Sequence, residues 1–168
     1  MTFNYVWKNK EANFGKPLKY QVNGGAHITF EIILKYKGKY IALRRKSIPG
    51  HEAPPHAKNY PNGLLYFCHN LIRYGESIGR CVKRIIKSQI GVDVKSYKVV
   101  DIESSEQKKD NQWAITPYVI AELSRKPKRG SFGNIIAEVI EFNKKSIPTD
   151  FAWWTKNELA KFLNKFDY

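Results

Sequence analysis

The sequence predicts a layered domain of the α+β or α/β class, with a mixed sheet flanked by helices. Three observations point to it: the apolar runs follow the order hairpin, loop, strand, helix, strands, helix; an internal helix carries a regular apolar stripe; and a second amphipathic helix closes the chain. An apolar helix face has to be covered, and a sheet between helices covers both. The length of 168 residues suits one domain. We expect residues 24–168 to form it and residues 1–23 to be an N-terminal extension packed on it.

The composition narrows the classes of partner. The formal net charge is +14, which favours polyanions such as nucleotides, RNA or anionic lipid, although a lysine-rich surface that only keeps a protein soluble has the same composition. Cys68 and Cys81 stand in apolar surroundings, which predicts buried free thiols. No run of about 18 apolar residues is present, which argues against a membrane span, and the first residues lack the apolar core of a signal peptide. We therefore predict a cytoplasmic protein with no membrane partner.

The chain begins its fold with a hairpin. The runs AHITFEIILKY and YIALRRK, separated by KGK, predict two strands and a short turn. The first run is apolar enough for a strand buried on both faces. Residues 47–63 contain four prolines and two glycines, which predict a long loop. LLYFC predicts a short strand, and HNLIRYGES predicts a loop.

A helix is predicted from about Ser77 to about Gln89. Its apolar residues recur at helical spacing and would face a core: Ile78, Cys81, Val82, Ile85 and Ile86. The hydroxyl of Ser77 can accept a free N–H of the first turn, and Gly91 can end the helix because glycine adopts positive φ without a clash.

Three strands and a final helix complete the prediction. VKSYKVVDIES and WAITPYVIAEL predict strands on either side of the charged turn EQKKDNQ, and Pro117 indicates an edge strand or a bulge. The basic loop RKPKRGSFGN leads to the strand IIAEVIEF. Thr155 and Glu158 form a capping box for the last helix, whose apolar stripe is Leu159, Phe162, Leu163 and Phe166.

At the internal helix the sequence resembles the Nudix family. The family's box reads G-x5-E-x7-R-E-U-x-E-E-x-G-U, where U is aliphatic, and it follows a strand and a loop. On this chain the first Glu falls on Glu76, the Arg on Arg84, and the later aliphatic, Gly and aliphatic positions on Ile86, Gly91 and Val92. The first hairpin and the segment DFAWWTKNELAKFL resemble the flanking parts of the family's fold. The resemblance implies an α/β/α sandwich over roughly residues 24–165.

The departures from the box concern its metal site. The opening Gly is Asn70, the Glu after the Arg is Ile85, and the paired glutamates are Ser88 and Gln89. In the family's hydrolases these three glutamates hold Mg²⁺ or Mn²⁺, and the backbone at the position of His69 contacts the metal. We therefore expect no metal or other cofactor, and we interpret Glu76 and Arg84 as a structural ion pair.

Cationic side chains offer another way to hold a phosphate. The candidates surround the box and the first hairpin: Arg44, Arg45, Arg73, Arg80, Lys83, Arg84 and Lys87. The hypothesis is a Nudix-like domain that binds a phosphorylated ligand, either a nucleotide diphosphate derivative or RNA, without hydrolysing it. A solvated basic face would show the same pattern.

Two further possibilities stay open. The protein can be a metal-dependent pyrophosphohydrolase whose ligands are displaced, with Glu76 joined by Glu103, Glu106 or Asp110 around Mg²⁺ or Mn²⁺. It can also be a module that stacks single-stranded RNA on Trp113, Trp153 or Trp154 beside basic loop residues such as Arg129. A homodimer is possible, since members of the family commonly pair.

Overall fold

A computed structural model describes residues 26–46, 54–73, 75–107, 112–128, 133 and 135–166 of the chain. The elements are β1 (Ala26–Tyr36), β2 (Lys39–Arg45), a short 3-10 helix (Pro55–Asn59), β3 (Leu65–Tyr66), β4 (Cys68–Leu71), α1 (Ile78–Ile90), β5 (Val94–Gln107), β6 (Gln112–Leu123), β7 (Ile136–Phe142) and α2 (Lys156–Phe166). The predicted order of elements is confirmed. The predicted extension at residues 1–23 lies outside the described residues.

The strands of the described residues form one seven-stranded mixed sheet. Its order is β3-β2-β1-β6-β5, with β4 also pairing with β1 and β7 pairing with β2. β1 lies parallel to β6 and antiparallel to β2 and β4. The turn between β1 and β2 consists of Lys37 and Gly38, both at positive φ (48° and 75°), which is the backbone twist that a two-residue hairpin turn requires.

The two helices cover opposite faces of the sheet. Cys81, Val82, Ile85 and Ile86 of α1 pack with β1 on one face, whereas Ile78, predicted to face the same core, is exposed at the first turn of the helix. On the other face Leu159 and Leu163 of α2 pack with Ile33. Each strand of a sheet presents alternate residues to its two faces, so β1 supplies both cores. The fold is the predicted α/β/α sandwich.

Local signals set the ends of both helices as the sequence predicts. Ser77 Oγ accepts the N–H of Arg80 at 3.4 Å, and Gly91 ends α1 in the left-handed conformation at φ 67°. In α2, Thr155 Oγ1 accepts the N–H of Glu158 at 3.2 Å while the Glu158 carboxylate accepts the N–H of Thr155 at 2.9 Å. Cys68 and Cys81 are buried free thiols, as predicted.

Two predictions of secondary structure are wrong. His69, Asn70 and Leu71 were expected in a loop but belong to β4, because they pair with residues 29–31 of β1. Pro117 does not mark an edge, since β6 lies between β1 and β5. The irregularity is in the neighbouring strand, where the register of β5 shifts between Val99 and Asp101.

In the part of the chain that the structure describes, no helix is long and apolar enough to cross a membrane.

The packing of α1 predicts a contrast between two of its isoleucines. Ile86 is fully buried, whereas Ile78 is 46% exposed. Ile86→Ala should lower the free energy of unfolding by about 2–5 kcal/mol because it leaves a cavity in the core. Ile78→Ala is the matched control and should cost less than about 1 kcal/mol. Urea denaturation followed by circular dichroism measures both, and equal losses would contradict the placement of α1.

Candidate functional site

The ion pair between Glu76 and Arg84 fixes the turn before α1 onto the helix. Both carboxylate oxygens of Glu76 accept from Arg84, from Nε and from Nη2, each at 2.7 Å. Glu76 also accepts the N–H of Arg73 at 3.0 Å, and Arg84 donates to the carbonyl of Leu71 at 2.9 Å. Arg84 is the main reason that the pKa of Glu76 falls from 4.5 to about 2. The ion pair expected between Glu76 and Arg84 is present.

The three positions that lack a glutamate point in different directions. Ile85 is fully buried in the core between α1 and the sheet. Ser88 is exposed, and its hydroxyl donates to the carbonyl of Ile85 at 2.9 Å. Gln89 is buried, and its Nε2 donates to the carbonyl of His69 at 2.8 Å. A donating hydroxyl, a donating amide and an alkyl group do not form a cation-binding set.

The contact between Gln89 and His69 also decides the orientation of the amide. A carbonyl oxygen can only accept, so the Nε2 of Gln89 must face His69 and its Oε1 must face away. The resemblance to the Nudix box implies that a metal ion contacts the carbonyl of His69. In this chain the N–H group of Gln89 occupies that side of the carbonyl instead. Mg²⁺ and Mn²⁺ favour carboxylate oxygens, and the described residues contain no group of three His, Cys, Asp or Glu side chains that can hold a metal ion. The residues do not fit the family's metal.

Gly133, between β6 and β7, lies against the same end of α1. The N–H of Gly133 donates to the carbonyl of Gln89 at 2.8 Å. A side-chain carbon at position 133 would lie 2.9 Å from the carbonyl oxygen of Ser88. Glycine is therefore required for this approach, and the backbone at position 133 lies beside Ser88 and Gln89, the positions of the box's paired glutamates.

A polar cluster lies on the strands next to His69. We call it the His69 cluster, and its members are Glu31, Arg45, Tyr66, His69 and Trp154. Nη2 of Arg45 lies 3.3 Å from Nδ1 of His69, and the guanidinium stacks over the ring of Tyr66 with 4.8 Å to the centroid. Glu31 Oε2 lies 3.9 Å from the same Nδ1, and Trp154 Nε1 donates to Glu31 Oε1 at 3.4 Å.

Burial sets the charges of the cluster. It lowers the pKa of His69 to about 4, with Arg45 adding to the effect, so the imidazole is neutral at neutral pH. It raises the pKa of Glu31 to about 7, against the opposing effects of Trp154 and Arg45. Burial also lowers the pKa of Arg45, yet a guanidinium keeps its proton at any ordinary pH. The cluster thus carries a permanent cation beside a neutral imidazole and a carboxyl that is partly protonated.

Arg45 is incompletely satisfied by its neighbours. Among the described residues, no carboxylate lies within ion-pair distance of its guanidinium, and its buried Nε has no hydrogen-bond partner. Gln89 Oε1 is likewise buried and unpartnered in the described part of the chain. Both residues contact His69, one at the imidazole and the other at the carbonyl. A buried donor without a partner costs free energy, and any external anion would have to approach Arg45 through its terminal nitrogens.

The other candidate cations lie elsewhere. Arg44 pairs with Asp150 at 2.7 Å and with Glu138 at 3.1 Å, and it lines an open cleft of about 560 Å³ with Asn59, Tyr60, Asn62 and Gly63. On α1, Lys87 pairs with Asp93 at 2.9 Å. Three more of the predicted cations lie on α1 or in the segment before it: Arg73, Arg80 and Lys83. Of the seven predicted cations, Arg45 is the one that contacts His69.

Of the acids proposed for a displaced metal site, Glu76 and Glu103 are not brought together. Glu103 accepts a short hydrogen bond from the hydroxyl of Tyr118, on the α2 side of the sheet, whereas Glu76 is held by Arg84. The side chain of Glu106 and all of Asp110 lie outside the described residues, as does Arg129.

The tryptophans proposed for RNA stacking have different surroundings. Trp154 packs edge-on against Phe67, with ring centroids 6.3 Å apart, besides its hydrogen bond to Glu31. Trp113 donates to Ser104 at 2.8 Å. Trp153 is 52% exposed, and of the three it offers the most accessible ring.

Sequence reasoning missed Glu31, Tyr66 and the amide role of Gln89. One signal for Glu31 was present: it is the single charged residue in the apolar run ITFEIIL, in a strand expected to be buried on both faces. A carboxylate at such a position needs a polar partner, which predicts a polar cluster but does not identify its other members.

Comparison with known proteins shows the fold. No family profile matches the sequence, and no curated protein is significantly similar to it. Solved structures do match: a MutT NUDIX hydrolase from Burkholderia pseudomallei at TM-score 0.60 and 15% identity, covering 80% of this chain and 95% of that one. The chain forms a Nudix-like domain.

Two other solved structures with the fold are similar to a comparable extent. An ADP-ribose pyrophosphatase from Streptococcus suis has TM-score 0.58 and 14% identity and covers 83% of this chain and 90% of that one. A MutT protein from Methanosarcina mazei has TM-score 0.57 and 13% identity and covers 84% and 93%. At these identities the similarity establishes the Nudix architecture, and the residues at the site have to establish the chemistry.

The Glu76–Arg84 pair predicts a pH-dependent stability difference. Glu76→Gln keeps the side-chain volume but removes the charge, and at neutral pH it should lower the free energy of unfolding by roughly 1–3 kcal/mol. Because folding lowers the pKa of Glu76 from 4.5 to about 2, the charged pair stabilises fully above pH 4.5 and loses its effect as the pH falls toward 2.

Urea denaturation of the wild type and Glu76→Gln at neutral pH and at about pH 3 measures this difference, which should shrink at the lower pH. Asp93→Asn is the control: it removes an exposed ion pair with Lys87, and exposed pairs contribute little. A loss for Glu76→Gln that is the same at both pH values would contradict the role of the charge.

Proposed function

We propose that this Nudix-fold protein binds a phosphorylated ligand at the His69 cluster without metal-dependent hydrolysis. The observation that supports the proposal most directly is the state of Arg45: a half-buried guanidinium beside His69, with no carboxylate within ion-pair distance among the described residues. The ligand class is a nucleotide diphosphate derivative. A phosphate oxygen supplies the negative charge and the acceptor that this guanidinium lacks.

The geometry around Arg45 suits a single anionic group. The ring of Tyr66 supports one face of the guanidinium at 4.8 Å, which holds the planar group in one orientation. His69 is neutral and adds no competing positive charge. Arginine binds phosphate through directional N–H donors and needs no metal to bridge the two.

The absence of hydrolysis follows from the box. Cleavage of a pyrophosphate needs hard cations to neutralise the charge that develops on the phosphate oxygens. Ile85, Ser88 and Gln89 provide no carboxylate, and the Gln89 amide donates to the carbonyl that a cation would take. The pyrophosphate bridge of a bound ligand would therefore meet donors that can hold it but, among the described residues, no carboxylate set that could bind the cation needed for its cleavage.

ADP-ribose is the first ligand to test. A structurally similar protein is an ADP-ribose pyrophosphatase, and the net charge of +14 favours anionic ligands in general. A dinucleoside polyphosphate and a short RNA are the second and third ligands, because the exposed ring of Trp153 and the basic surface would serve RNA instead.

Binding should depend on Arg45 more than on other cations. Arg45→Gln removes the charge but keeps a polar side chain, and the affinity for ADP-ribose should fall by at least about tenfold, the equivalent of one charge-assisted hydrogen bond. Isothermal titration calorimetry at low salt measures the change. Lys83→Gln is the matched control, because Lys83 is an exposed cation on α1, and it should change the affinity little.

No binding of any of the three ligands would contradict the proposal. Binding of RNA alone, weakened equally by Arg45→Gln and Lys83→Gln, would indicate a diffuse basic surface and would contradict a site for a small ligand.

Mg²⁺ and Mn²⁺ should have no effect on the bound ligand. Incubation of the protein with ADP-ribose and either cation should release no product above the background without protein, and neither cation should raise the melting temperature, since the box lacks carboxylate ligands. Chromatography of the nucleotide and thermal unfolding measure the two effects. Metal-dependent turnover that is abolished by Glu76→Gln would establish the hydrolase alternative instead.

A further inference from the structure

β5 is an edge of the sheet that the described strands form. It is the last strand in the order β3-β2-β1-β6-β5, and with 14 residues it is the longest strand of the described part of the chain. Along its outer side it forms no ladder with another described strand. The N–H and C=O groups of such an edge can pair with a strand of another molecule.

The same strand exposes apolar side chains. Tyr97 and Val99 are each 39% exposed, and Ile102 is 62% exposed. They are three of the six large apolar side chains that are exposed in the described residues. We call Tyr97, Val99 and Ile102 the β5 strip. A cluster of apolar residues on an open edge indicates an interaction surface more strongly than scattered apolar residues do.

The pairing of β5 with β6 has two register shifts, one between Val94 and Ser96 and one between Val99 and Asp101, and the second is the bulge considered below. Val99 lies opposite Val119 and Asp101 lies opposite Tyr118, so Val100 is an extra residue in the strand. In a bulge, two residues of one strand lie opposite a single residue of its partner. Val100 and Asp101 therefore point to the same face, and the residues before and after them, Val99 and Ile102, both point to the other face. Val99 and Ile102 share one face, although three positions separate them.

The contacts of the strand assign these faces. Val119, the partner of Val99, belongs to the core under α1, so the β5 strip lies on the α1 side. Lys98 donates to the carbonyl of Phe166 at the end of α2. Glu103 accepts from Tyr118, whose ring contacts Phe162 of α2. Lys98 and Glu103 therefore both lie on the α2 side.

The charges of β5 complement those of a second, antiparallel β5. Lys95 and Lys98 lie before the bulge, and Asp101 and Glu103 lie after it. A two-fold axis at the bulge places Val99 opposite Ile102 of the second copy on the α1 side, and Lys98 opposite Glu103 of the second copy on the α2 side. Cross-strand apolar pairs and pairs of opposite charge each stabilise a sheet. A parallel arrangement would instead place like charges side by side.

We propose that β5 pairs antiparallel with β5 of a second copy of this chain, centred on the bulge at Val100 and Asp101, so that the sheet continues through a homodimer. The interface is isologous, as two-fold symmetry requires. It lies on strand β5 and does not involve the residues of the His69 cluster, so its test is independent of ligand binding.

Light scattering after size-exclusion chromatography of the full chain, over a series of concentrations, measures the dimer. Ile102→Asp should weaken dimerisation by at least about tenfold, because it replaces an apolar contact with a carboxylate beside an acidic half-strand. Leu71→Asp is the matched control: Leu71 is a similarly exposed apolar residue, at 48%, on β4, and its replacement should leave the dimer intact. Circular dichroism verifies that both variants are folded.

A charge exchange tests the register. Lys98→Glu and Glu103→Lys should each weaken the dimer, and the double variant should restore it. If the single variants acted only by losing the contacts to Phe166 and Tyr118 within one chain, the double variant would lose both contacts and would not restore the dimer. A wild type that stays monomeric throughout the series would overturn the proposal. So would a dimer that Ile102→Asp does not weaken, or a double variant no better than the single ones.

Discussion

The hydrogen bond from the Gln89 amide to the His69 carbonyl is the constraint on which the site depends. It joins the end of α1 to β4 at a distance of 2.8 Å, while the Glu76–Arg84 ion pair holds the beginning of the same helix. Between them the apolar stripe of α1 packs on the sheet. The helix is thus fixed at both ends by polar contacts within the protein. The contact at its end, from Gln89, uses the carbonyl of His69, to which the Nudix box would direct a metal.

This substitution of an amide for a cation changes what the neighbouring residues can do. A divalent cation at the carbonyl would add positive charge and attract carboxylates, whereas a neutral amide leaves Arg45 as the permanent charge in the His69 cluster. The neutral His69 and the partly protonated Glu31 do not compensate that charge fully. A half-buried guanidinium with no ion-pair partner among the described residues is suited to an external anion, and the overall charge of +14 favours the approach of that anion.

Local sequence was sufficient for the helices and insufficient for the site. Ser77, Gly91 and the Thr155–Glu158 box act on residues within a few positions of themselves, so the ends of α1 and α2 could be predicted. β4 extends to Leu71 because β1 pairs with it from about forty residues away in the sequence, and no local pattern contains that information. The His69 cluster could not be predicted for the same reason: its side chains come from β1, β2, β3, β4 and the segment before α2, which are distant in sequence.

Arg44 and Arg45 show how little adjacency in sequence implies about function. The register of β2 against β7 shifts between these two residues. Arg44 is directed to Asp150 and Glu138, where its charge is neutralised, and Arg45 is directed to His69, where it is not. Sequence analysis could identify both as basic residues at the end of a strand, and the alternation of a strand directs neighbouring side chains to opposite faces. The acids that neutralise Arg44 lie about one hundred residues further along the chain, so no local pattern shows which of the two charges is paired.

A crystal structure of the protein with ADP-ribose and Mn²⁺ would test the central claim most directly, because the anomalous scattering of Mn²⁺ locates the cation without ambiguity. The expected result is a phosphate group against the Arg45 guanidinium, the Gln89 amide still donating to His69, and no anomalous peak at the His69 carbonyl. An Mn²⁺ ion bound to that carbonyl, with the Gln89 side chain displaced, would contradict it.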